Sequence, residues 1–379
     1  MSLIGLHLTI LMGPTVPLPV SEPVLEMLES VEVTHSDEGR SGFQIVFKAV
    51  RSRKDFIDYL IFANPQFKAG NRVIITNVFG SVPLVLMDGI ITNHQLQPGT
   101  PGGDPASLTL TGEDVSIMMD LQEKNAEHPA QPDNVIAMKI ILSYAQFGLI
   151  PLVIPPVNFD VPIPVERTPV QRATDLVYLK EIAERHAYTF FIIPGPVIGT
   201  NTAYWGPPIR VGIPQKALTV DMGPETNVDA LQIERSPAGA TTVQGTVQDR
   251  RSNQRLPVLS FLTTRPPLAI NNPLIDRALT RTEVFGGRSG QDAQQAMALA
   301  QSQTDASMDT VKVEGELNTG KYGLPLMARG LVGMRGAGFS YDGLYYVKKV
   351  THMIKLGEYK QKFTLTREGT GSTVPVVIP

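Results

Sequence analysis

The clearest alternation of hydrophobic and polar positions lies near the C-terminus, between residues 343 and 367. Two alternating runs flank Leu356-Gly357-Glu358, which predicts one long antiparallel hairpin. The first run supplies apolar side chains at Tyr345, Val347, Val350 and either Met353 or Ile354. The second run alternates lysine and threonine with Tyr359, Phe363 and Leu365. The spacing of the first run slips by one residue near Lys348-Lys349, which predicts a bulge.

The first 115 residues share this β character. Short alternating segments separated by turn residues predict strands at 1–12, 31–36, 42–50, 72–79, 82–93 and 106–111. Gly89 interrupts the fifth of these segments, and we interpret it as a bulge. A short helix is expected at Asp55–Ala63, and the glycine- and proline-rich loop 97–105 excludes regular structure. Successive strands of this kind are typical of a barrel or a sandwich.

Helical periodicity appears in the middle of the chain. The spacing predicts helices at Val115–Lys124, at Asn134–Phe147 and at Thr174–His186, with an extended proline-rich connection at 150–169. The second helix repeats apolar residues at Val135, Met138, Ile141, Leu142 and Ala145. The third has Thr174 as its N-cap and a buried stripe of Leu176, Leu179, Ile182 and Ala183. A buried strand at Tyr188–Ile193 follows, so this part predicts a small α+β region.

The remainder returns to β structure. Strands are expected at 228–235, 239–249, 312–317 and 331–334, with one helix at Gln291–Met308 before the terminal hairpin. We therefore predict a mainly β fold with an α+β insertion. Its domains are a first β-barrel-like domain at 1–115, the insertion at 116–213, a second β-barrel-like domain at 214–370 and a C-terminal tail at 371–379.

Composition narrows the functional classes. Of the 379 residues, 42% are hydrophobic and 18% are charged, and the net charge is −3. A nucleic-acid-binding surface needs a clustered basic surplus, so no nucleic-acid partner is expected. The chain has no cysteine, which excludes thiolate chemistry and favours assembly in the cytoplasm. The apolar N-terminus lacks the features of a signal peptide, and no run is long enough to insert into a membrane.

Candidate catalytic chemistry is sparse. None of the six histidines falls at a metal-ligand spacing, so no metal is expected, and His186 and His352 are interpreted as structural or surface residues. Glu181 and Glu184 lie on the polar face of a helix, where a solvated role is favoured. No nucleophile motif or phosphate-binding loop is present, so we predict no catalytic residue and no cofactor. The one local basic run is Arg250, Arg251 and Arg255, which is either a solvated loop or a contact with a neighbouring subunit.

Three stretches, in this order along the chain, resemble the hub family of contractile tails. This family includes the phage late control protein D family, and the hub part of VgrG-type spike proteins is similar to it. The stretches are Ser41–Phe47 with Asp88–Ile90 and Leu108–Asp114; Thr174–Tyr188 followed by Thr189-Phe-Phe-Ile192; and Gly336–His352 with Gly357–Leu365. Ala187 stands where this family usually has glycine at a left-handed helix end.

The resemblance implies a non-enzymatic baseplate hub of a phage tail or contractile injection system. It implies a homotrimeric ring with two similar β units per subunit, which presents pseudo-sixfold symmetry to a hexameric tail tube and carries a trimeric spike. Its partners would be the tube protein, the spike protein and other baseplate proteins within a virion or injection particle. Two alternatives stay open: a cell-wall polysaccharide-degrading enzyme on a β scaffold, and a monomeric binding module.

Overall fold

The fold is taken from a computed structural model of the chain. It describes residues 2–3, 6–14, 16–49, 64–79, 82–100, 105–156, 161–165, 167–249, 252–274, 279–286 and 293–375. The predicted helix at Asp55–Ala63 lies outside these residues. None of the helices in the described ranges combines the length and the apolar character needed to cross a lipid bilayer.

Strands dominate the structure. The strands are β1 (Ser2–Leu3), β2 (Leu6–Gly13), β3 (Leu18–Pro19), β4 (Leu28–Ser36), β5 (Gly42–Lys48), β6 (Arg72–Phe79), β7 (Val82–Gln97), β8 (Ser107–Asp114), β9 (Glu123–Glu127), β10 (Leu149–Val153), β11 (Val170–Thr174), β12 (Thr189–Pro194), β13 (Asn201–Gly206), β14 (Gln215–Thr219), β15 (Val228–Arg235), β16 (Thr241–Gln248), β17 (Arg255–Ser260), β18 (Ala269–Asn271), β19 (Arg281–Val284), β20 (Val311–Asn318), β21 (Leu331–Arg335), β22 (Gly343–Lys355), β23 (Glu358–Arg367) and β24 (Thr370–Ser372). The α-helices are α1 (Glu22–Glu26), α2 (Asp133–Leu142), α3 (Asp175–Glu184), α4 (Ala293–Ser307) and α5 (Thr319–Tyr322). The predicted mainly β fold is confirmed.

Two six-stranded β units lie side by side in one long sheet. The first β unit has the strand order β2-β6-β7-β8-β5-β4, and the second β unit has the order β14-β21-β22-β23-β20-β15. Taken in chain order within each unit, these two arrangements are the same. Every neighbouring pair is antiparallel in both units, except that β14 runs parallel to β21 whereas β2 runs antiparallel to β6. The fold therefore contains an internal repeat.

Two irregularities of the first unit have counterparts in the second, whereas the slips in the β6–β7 and β14–β21 pairings do not. The β4–β5 pairing and the β15–β20 pairing each slip by one residue at their start, between Leu28 and Ser30 on β4 and between Val228 and Ala230 on β15. A second slip lies between Ile91 and Asn93 on β7 and between Val347 and Lys349 on β22. Since a bulge fixes register, these slips align the two units residue by residue. The bulge predicted near Lys348-Lys349 is confirmed.

The terminal hairpin belongs to both units. Strand β22 pairs with β21 from Gly343 to Tyr346, with β23 from Tyr346 to Lys355 and with β4 from Lys349 to Lys355. Each unit has its own apolar core, and the core of the first includes Ile354 and Tyr359 from the hairpin. The hairpin thus crosses the predicted boundary between residues 1–115 and 214–370, and those boundaries stay predictions.

The α+β region follows the first β unit along the chain, precedes the second, and has its own sheet and core. Helices α2 and α3 pack on the sheet β10-β13-β12, and their buried residues form one core with Trp205. As predicted, Thr174 caps α3, because its hydroxyl accepts the Val177 N–H. The helix ends with Ala187 at φ 54°. There the Ala187 N–H donates to the Glu184 carbonyl and the Tyr188 N–H to the Ala183 carbonyl, which is the Schellman pattern without its usual glycine.

A side subdomain, residues 236–310, interrupts the second β unit between β15 and β20. Helix α4 packs on the small sheet β17-β16-β19, and the apolar residues between them form a separate buried cluster. The predicted helix at Gln291–Met308 is confirmed as α4, with its first two residues outside the described ranges. Strand β18 pairs with β24, so residues 370–372 belong to the fold and the predicted tail at 371–379 does not begin as a free segment.

Several other expectations were wrong. Residues Val115–Met119 form a 3-10 helix and β9 follows, where we expected one helix to Lys124. Part of the proline-rich connection forms β10, parallel to β13. Gly89 is regularly paired, and glycine is required there because a side chain would overlap the Phe43 ring and the Glu113 carbonyl. Helix α2 is apolar around most of its circumference, so the spacing of its apolar residues predicted the wrong face as the buried one. It buries Ile136, Ala137, Ile140 and Ile141, and it leaves Val135, Met138 and Leu142 exposed.

Candidate functional site: the junction between the two β units

The two β units are joined edge to edge by main-chain pairing. Seven residues of β22, Lys349–Lys355, pair antiparallel with Ser30–Ser36 of β4. On the outer face of this junction the Thr34 and Thr351 hydroxyls lie 2.9 Å apart and share a hydrogen bond. This pairing makes the strands of the two units one continuous sheet.

A polar cluster is buried beneath the junction. The His352 Nδ1 lies 2.8 Å from the Tyr359 hydroxyl and 3.2 Å from the Gln361 amide nitrogen. An amide NH₂ only donates, so Nδ1 is the accepting and unprotonated nitrogen. Beside it, the His35 Nε2 donates to the Leu86 carbonyl at 2.7 Å. His352 was expected to be structural or at the surface, and it is fully buried.

Burial sets the protonation of these groups. It lowers the pKa of His352 to about 3, and burial together with the nearby Arg329 charge lowers the pKa of His35 well below its usual value. Burial acts in the opposite direction on a neighbouring carboxyl and raises the pKa of Asp37 to about 6, although the Lys348 charge partly offsets it. Both histidines are therefore neutral at pH 7.

Arg329 ties three parts of the molecule together. Its guanidinium donates to the Ile192 carbonyl at 2.6 Å, to the Ser36 carbonyl at 2.7 Å and to the Ser41 hydroxyl at 2.7 Å. Its guanidinium carbon also lies 4.1 Å from the centre of the Phe191 ring. Arg329 itself precedes β21, so one buried side chain links the second β unit, the first β unit and the α+β region.

A second buried arginine fixes the α+β region to the first β unit. Arg72 donates two hydrogen bonds to the Asp88 carboxylate, at 2.7 and 2.6 Å, and further bonds to the Phe147 and Gly199 carbonyls. Asp88 also accepts from the Asn201 amide at 2.9 Å. A two-pronged pair of this kind is the strong form of an Arg–carboxylate contact.

A third arginine anchors the side subdomain. Arg210 pairs with Asp309 and, at 3.3 Å, with Glu368. The Glu368 carboxylate also accepts the backbone N–H groups of Leu268 and Ala269. Buried arginines thus link the two β units, the α+β region and the side subdomain. Spacing could not predict these contacts, although a single charge inside an apolar strand, such as Asp88, is a signal of a buried pair.

The predicted contact residues lie in the side subdomain. Arg255 begins β17, is exposed, and donates from Nε to the Thr246 hydroxyl at 3.0 Å. Arg250 and Arg251 lie outside the described residues. On α3, Glu181 accepts from Arg185 at 3.0 Å and Glu184 is exposed, in agreement with the expected solvated roles. His186 lies 3.1 Å from the Asp133 carboxylate at the helix end.

One cleft lies among the described residues near the C-terminus. This cleft of about 150 Å³ is lined by Ala217, Gly333, Met334, Arg335, Asp342, Gly343, Ser372, Val374 and Pro375. Asp342 is its sole carboxylate and accepts the Ala337 N–H at 2.8 Å, whereas polysaccharide hydrolysis needs two opposed carboxyls. Across the residues that the structure describes, no three histidine or carboxylate side chains stand close enough together to hold a metal ion.

No protein-family model matches the sequence, and no curated protein matches it. Solved structures do match over nearly the whole chain. A 43 kDa tail protein of prophage MuSo2 from Shewanella oneidensis aligns with a TM-score of 0.65 and 11% identity, covering 96% of this chain and 98% of that one. This is the fold of phage tail proteins. A tail protein from Neisseria meningitidis MC58 aligns with a TM-score of 0.62 and 13% identity, covering 97% and 98%.

The same fold occurs in a secretion-system protein. An Escherichia coli protein, described as a component of the type VI secretion system with structural similarity to the T4 tail proteins gp27 and gp5, aligns with a TM-score of 0.53. It has 13% identity and the match covers 93% of this chain and 77% of that one. At such low identity the likeness is one of fold, and the tail-protein fold expected from the sequence is confirmed.

Proposed function

We propose that this chain is the structural hub of a contractile phage tail or contractile injection system. Three copies form a ring that joins the hexameric tail tube to the trimeric spike. The observation that carries the proposal is the internal repeat, because two six-stranded units of equal strand order in one subunit let three subunits present six similar surfaces. The tail-protein fold adds support.

The buried arginine contacts suit a mechanical role. A hub must pass force from tube to spike without its domains moving apart, and Arg72, Arg210 and Arg329 each join separate parts of the chain. In this role the protein is not an enzyme. It assembles in the cytoplasm with tube, spike and other baseplate proteins, and it ends in a virion or an injection particle.

The test is the mass of the purified chain, alone and mixed with tube and spike proteins. Native mass spectrometry is expected to give three times the 41.3 kDa of one chain, and electron microscopy is expected to give rings that bind the tube on one side and the spike on the other. A stable monomer that cleaves peptidoglycan would overturn the proposal in favour of an enzyme.

We also propose that Arg250, Arg251 and Arg255 contact a neighbouring chain in the assembled particle. Support comes from the position of Arg255, which is exposed on the side subdomain, away from the junction. Changing Arg250 and Arg251 together to Glu is expected to lower the yield of assembled particles while the melting temperature of the isolated chain stays the same. Unchanged yield and trimer mass would contradict this assignment.

A further inference from the structure

Several strand edges of the long sheet have no partner among the described residues, the outer edges of β1 and β14 included. Two others are distinguished by their place in the repeat. One is the outer edge of β15, which is hydrogen-bonded on its other side to β20. The other is the end of β7, residues 93–97, because the backbone hydrogen bonds on that side of β7 stop at Ile91. Alternate side chains along both edges are exposed. Unpaired edges of this kind are templates for another strand.

These two edges hold matching places in the internal repeat. In the order of the two units, β15 corresponds to β4, and β7 corresponds to β22. Within the chain, β4 and β22 are hydrogen-bonded to each other and form the junction between the units. These two free edges are therefore the counterparts of the two edges that pair with each other inside the subunit.

The hydrogen bonds beside the free edge of β7 match those at the corresponding place on β22. The Ile91 N–H donates to the Asn71 carbonyl at 2.9 Å, and at the corresponding place the Val347 N–H donates to the Gly330 carbonyl at 2.8 Å. The return bonds also correspond: Gly70 N–H to the Ile91 carbonyl at 2.8 Å, and Arg329 N–H to the Val347 carbonyl at 2.7 Å. The backbone of β7 thus approaches its free edge as β22 approaches β4.

We propose that β15 of one subunit pairs antiparallel with residues 93–97 of the next copy, which repeats the β4–β22 junction between subunits. The inference rests on the proposed trimeric hub and specifies its interface. The bulges give the register, because they align β15 with β4 and β7 with β22. It places Asn93 opposite Ser236, His94 opposite Arg235, Gln95 opposite Glu234, Leu96 opposite Ile233 and Gln97 opposite Gln232.

The side chains suit this register. Leu96 and Ile233 are half-buried apolar residues that pack against the cores of their own units, and pairing would bury both. On the outer face, the Gln95 amide can donate to the Glu234 carboxylate where the junction has its Thr34–Thr351 bond. The pairing also has a natural end. In the junction the Asp37 N–H donates to the Lys348 carbonyl, and the corresponding Pro237 has no N–H.

Cysteine cross-linking tests the register directly, because the natural chain contains no cysteine. Gln95 and Glu234 would be a directly facing, non-hydrogen-bonded pair with Cα atoms about 4.5 Å apart, within the roughly 4.4–6.8 Å that a disulfide accepts. Under mild oxidation the double variant Gln95→Cys/Glu234→Cys is expected to give covalent species of two and three chains and none larger. A mixture of the two single variants is expected to give covalent dimers, which must join different chains.

Matched controls define the outcome. Gln97→Cys with Glu234→Cys is diagonal, about 7–8 Å apart, and is expected not to cross-link. Thr34→Cys with Thr351→Cys, the same pair inside the subunit, is expected to form a disulfide without any increase in mass. If circular dichroism shows that the first pair of substitutions disturbs folding, Gln97→Cys with Gln232→Cys tests the same register at the next facing position.

Two failures are distinguishable. A trimeric mass in native mass spectrometry, with both facing pairs remaining single chains after oxidation, would overturn this interface and leave the hub proposal standing. A monomeric mass would overturn the trimer and this inference together. Equal cross-linking of the diagonal and facing pairs would reject the register.

Discussion

The two β units have the same strand order but differ in what they add to it. In the first unit, a short turn at residues 37–41 joins β4 to β5. In the second, the side subdomain occupies the corresponding place between β15 and β20. Loops lie outside the hydrogen-bonded ladder, so they accept large insertions without changing it. The hydrogen-bonded ladder of strands, and not the loops, therefore defines the repeat.

Side chains in the two cores differ as well. In the first unit, Ile45 of β5 lies opposite Leu110 of β8. The corresponding pair in the second unit is Gly315 opposite Phe363, and a side chain on Gly315 would overlap the Phe363 ring. A medium–medium pair in one unit is a small–large pair in the other. Exchanges of this kind between core positions weaken the sequence signal of the repeat.

The largest expected effect comes from removing the contact that the second unit makes and the first lacks. Arg329→Met is expected to lower the free energy of unfolding by about 3–5 kcal/mol, because it leaves the Ser36 and Ile192 carbonyls buried without donors. Urea unfolding followed by both fluorescence and circular dichroism measures this change. Two probes are needed because a chain of this size can unfold in steps.

A matched variant separates this contact from arginine loss in general. Arg255→Met removes an exposed arginine whose one described side-chain bond goes to Thr246. It is expected to change the free energy of unfolding by less than about 0.5 kcal/mol. If Arg329→Met were equally mild, the idea that buried arginines hold the units together would be wrong.

The next effect tests the volume exchange. Gly315→Ala is expected to cost about 1–3 kcal/mol, because the added methyl group meets the Phe363 ring and lies 2.7 Å from the Ala230 carbonyl oxygen. Adding Phe363→Leu moves this pair toward that of the first unit and is expected to recover part of the loss, again measured by urea unfolding. Additive costs in the double variant would contradict the volume argument.

Alternation along the sequence predicted most strands and the bulge in β22, because it reports which face of a strand is buried. It does not report which strand is the partner. The pairing of β4 with β22 joins residues more than 300 positions apart, and nothing in Ser30–Ser36 indicates it. Periodicity also failed in α2, where apolar residues surround the helix. Capping chemistry succeeded at Thr174, because a cap acts through local hydrogen bonds.

The same limit explains the candidate site. The buried arginines act on backbone carbonyls that come together only after the units have docked, so spacing carries no trace of them. Arg250, Arg251 and Arg255 stood out in the sequence because charges adjacent along the chain are visible there. Arg329 has glycine beside it and no nearby carboxylate in sequence, and its three hydrogen-bond acceptors lie in two other parts of the molecule.

A pH dependence distinguishes the junction from its proposed counterpart between subunits, where Leu96 corresponds to His352. The folded-state pKa of His352 is lowered to about 3, so the unfolded chain binds the proton first as pH falls below about 6.5. Its contribution to stability is complete above that pH and is lost between about 6.5 and 3. From pH 6.5 to 5 the loss is about 2 kcal/mol.

His352→Gln keeps a polar side chain but cannot titrate, so it is expected to flatten this acid loss in urea unfolding measured from pH 7 to 5. His35 acts in the same direction through its own burial, and the neighbouring His352 ring is a smaller cause of its lowered pKa. Asp37 has a raised pKa of about 6 and acts in the opposite direction, since the folded state holds its proton first. Both groups are present in variant and parent, so the difference curve reports His352 together with its small effect on the His35 pKa. Parallel pH profiles would reject a buried neutral histidine.

The smallest expected effect concerns the left-handed position that both units share. Gly70 has φ 85° in the first unit, and the corresponding Arg329 has φ 66° in the second. Nothing lies near enough to Gly70 to touch an added Cβ, so Gly70→Ala isolates the backbone cost, about 1 kcal/mol. At Arg329 the same cost is offset by three side-chain hydrogen bonds.

Gly70→Ala is therefore expected to lower the urea midpoint slightly and to leave the unfolding slope unchanged. Gly39→Ala is its control, because Gly39 lies in an exposed turn of the same unit without a left-handed backbone. If Gly70→Ala cost as much as Arg329→Met, the left-handed backbone and not the guanidinium would be the element that both units need. An effect well below that of Arg329→Met assigns the stability of the junction to the side chain that only the second unit has.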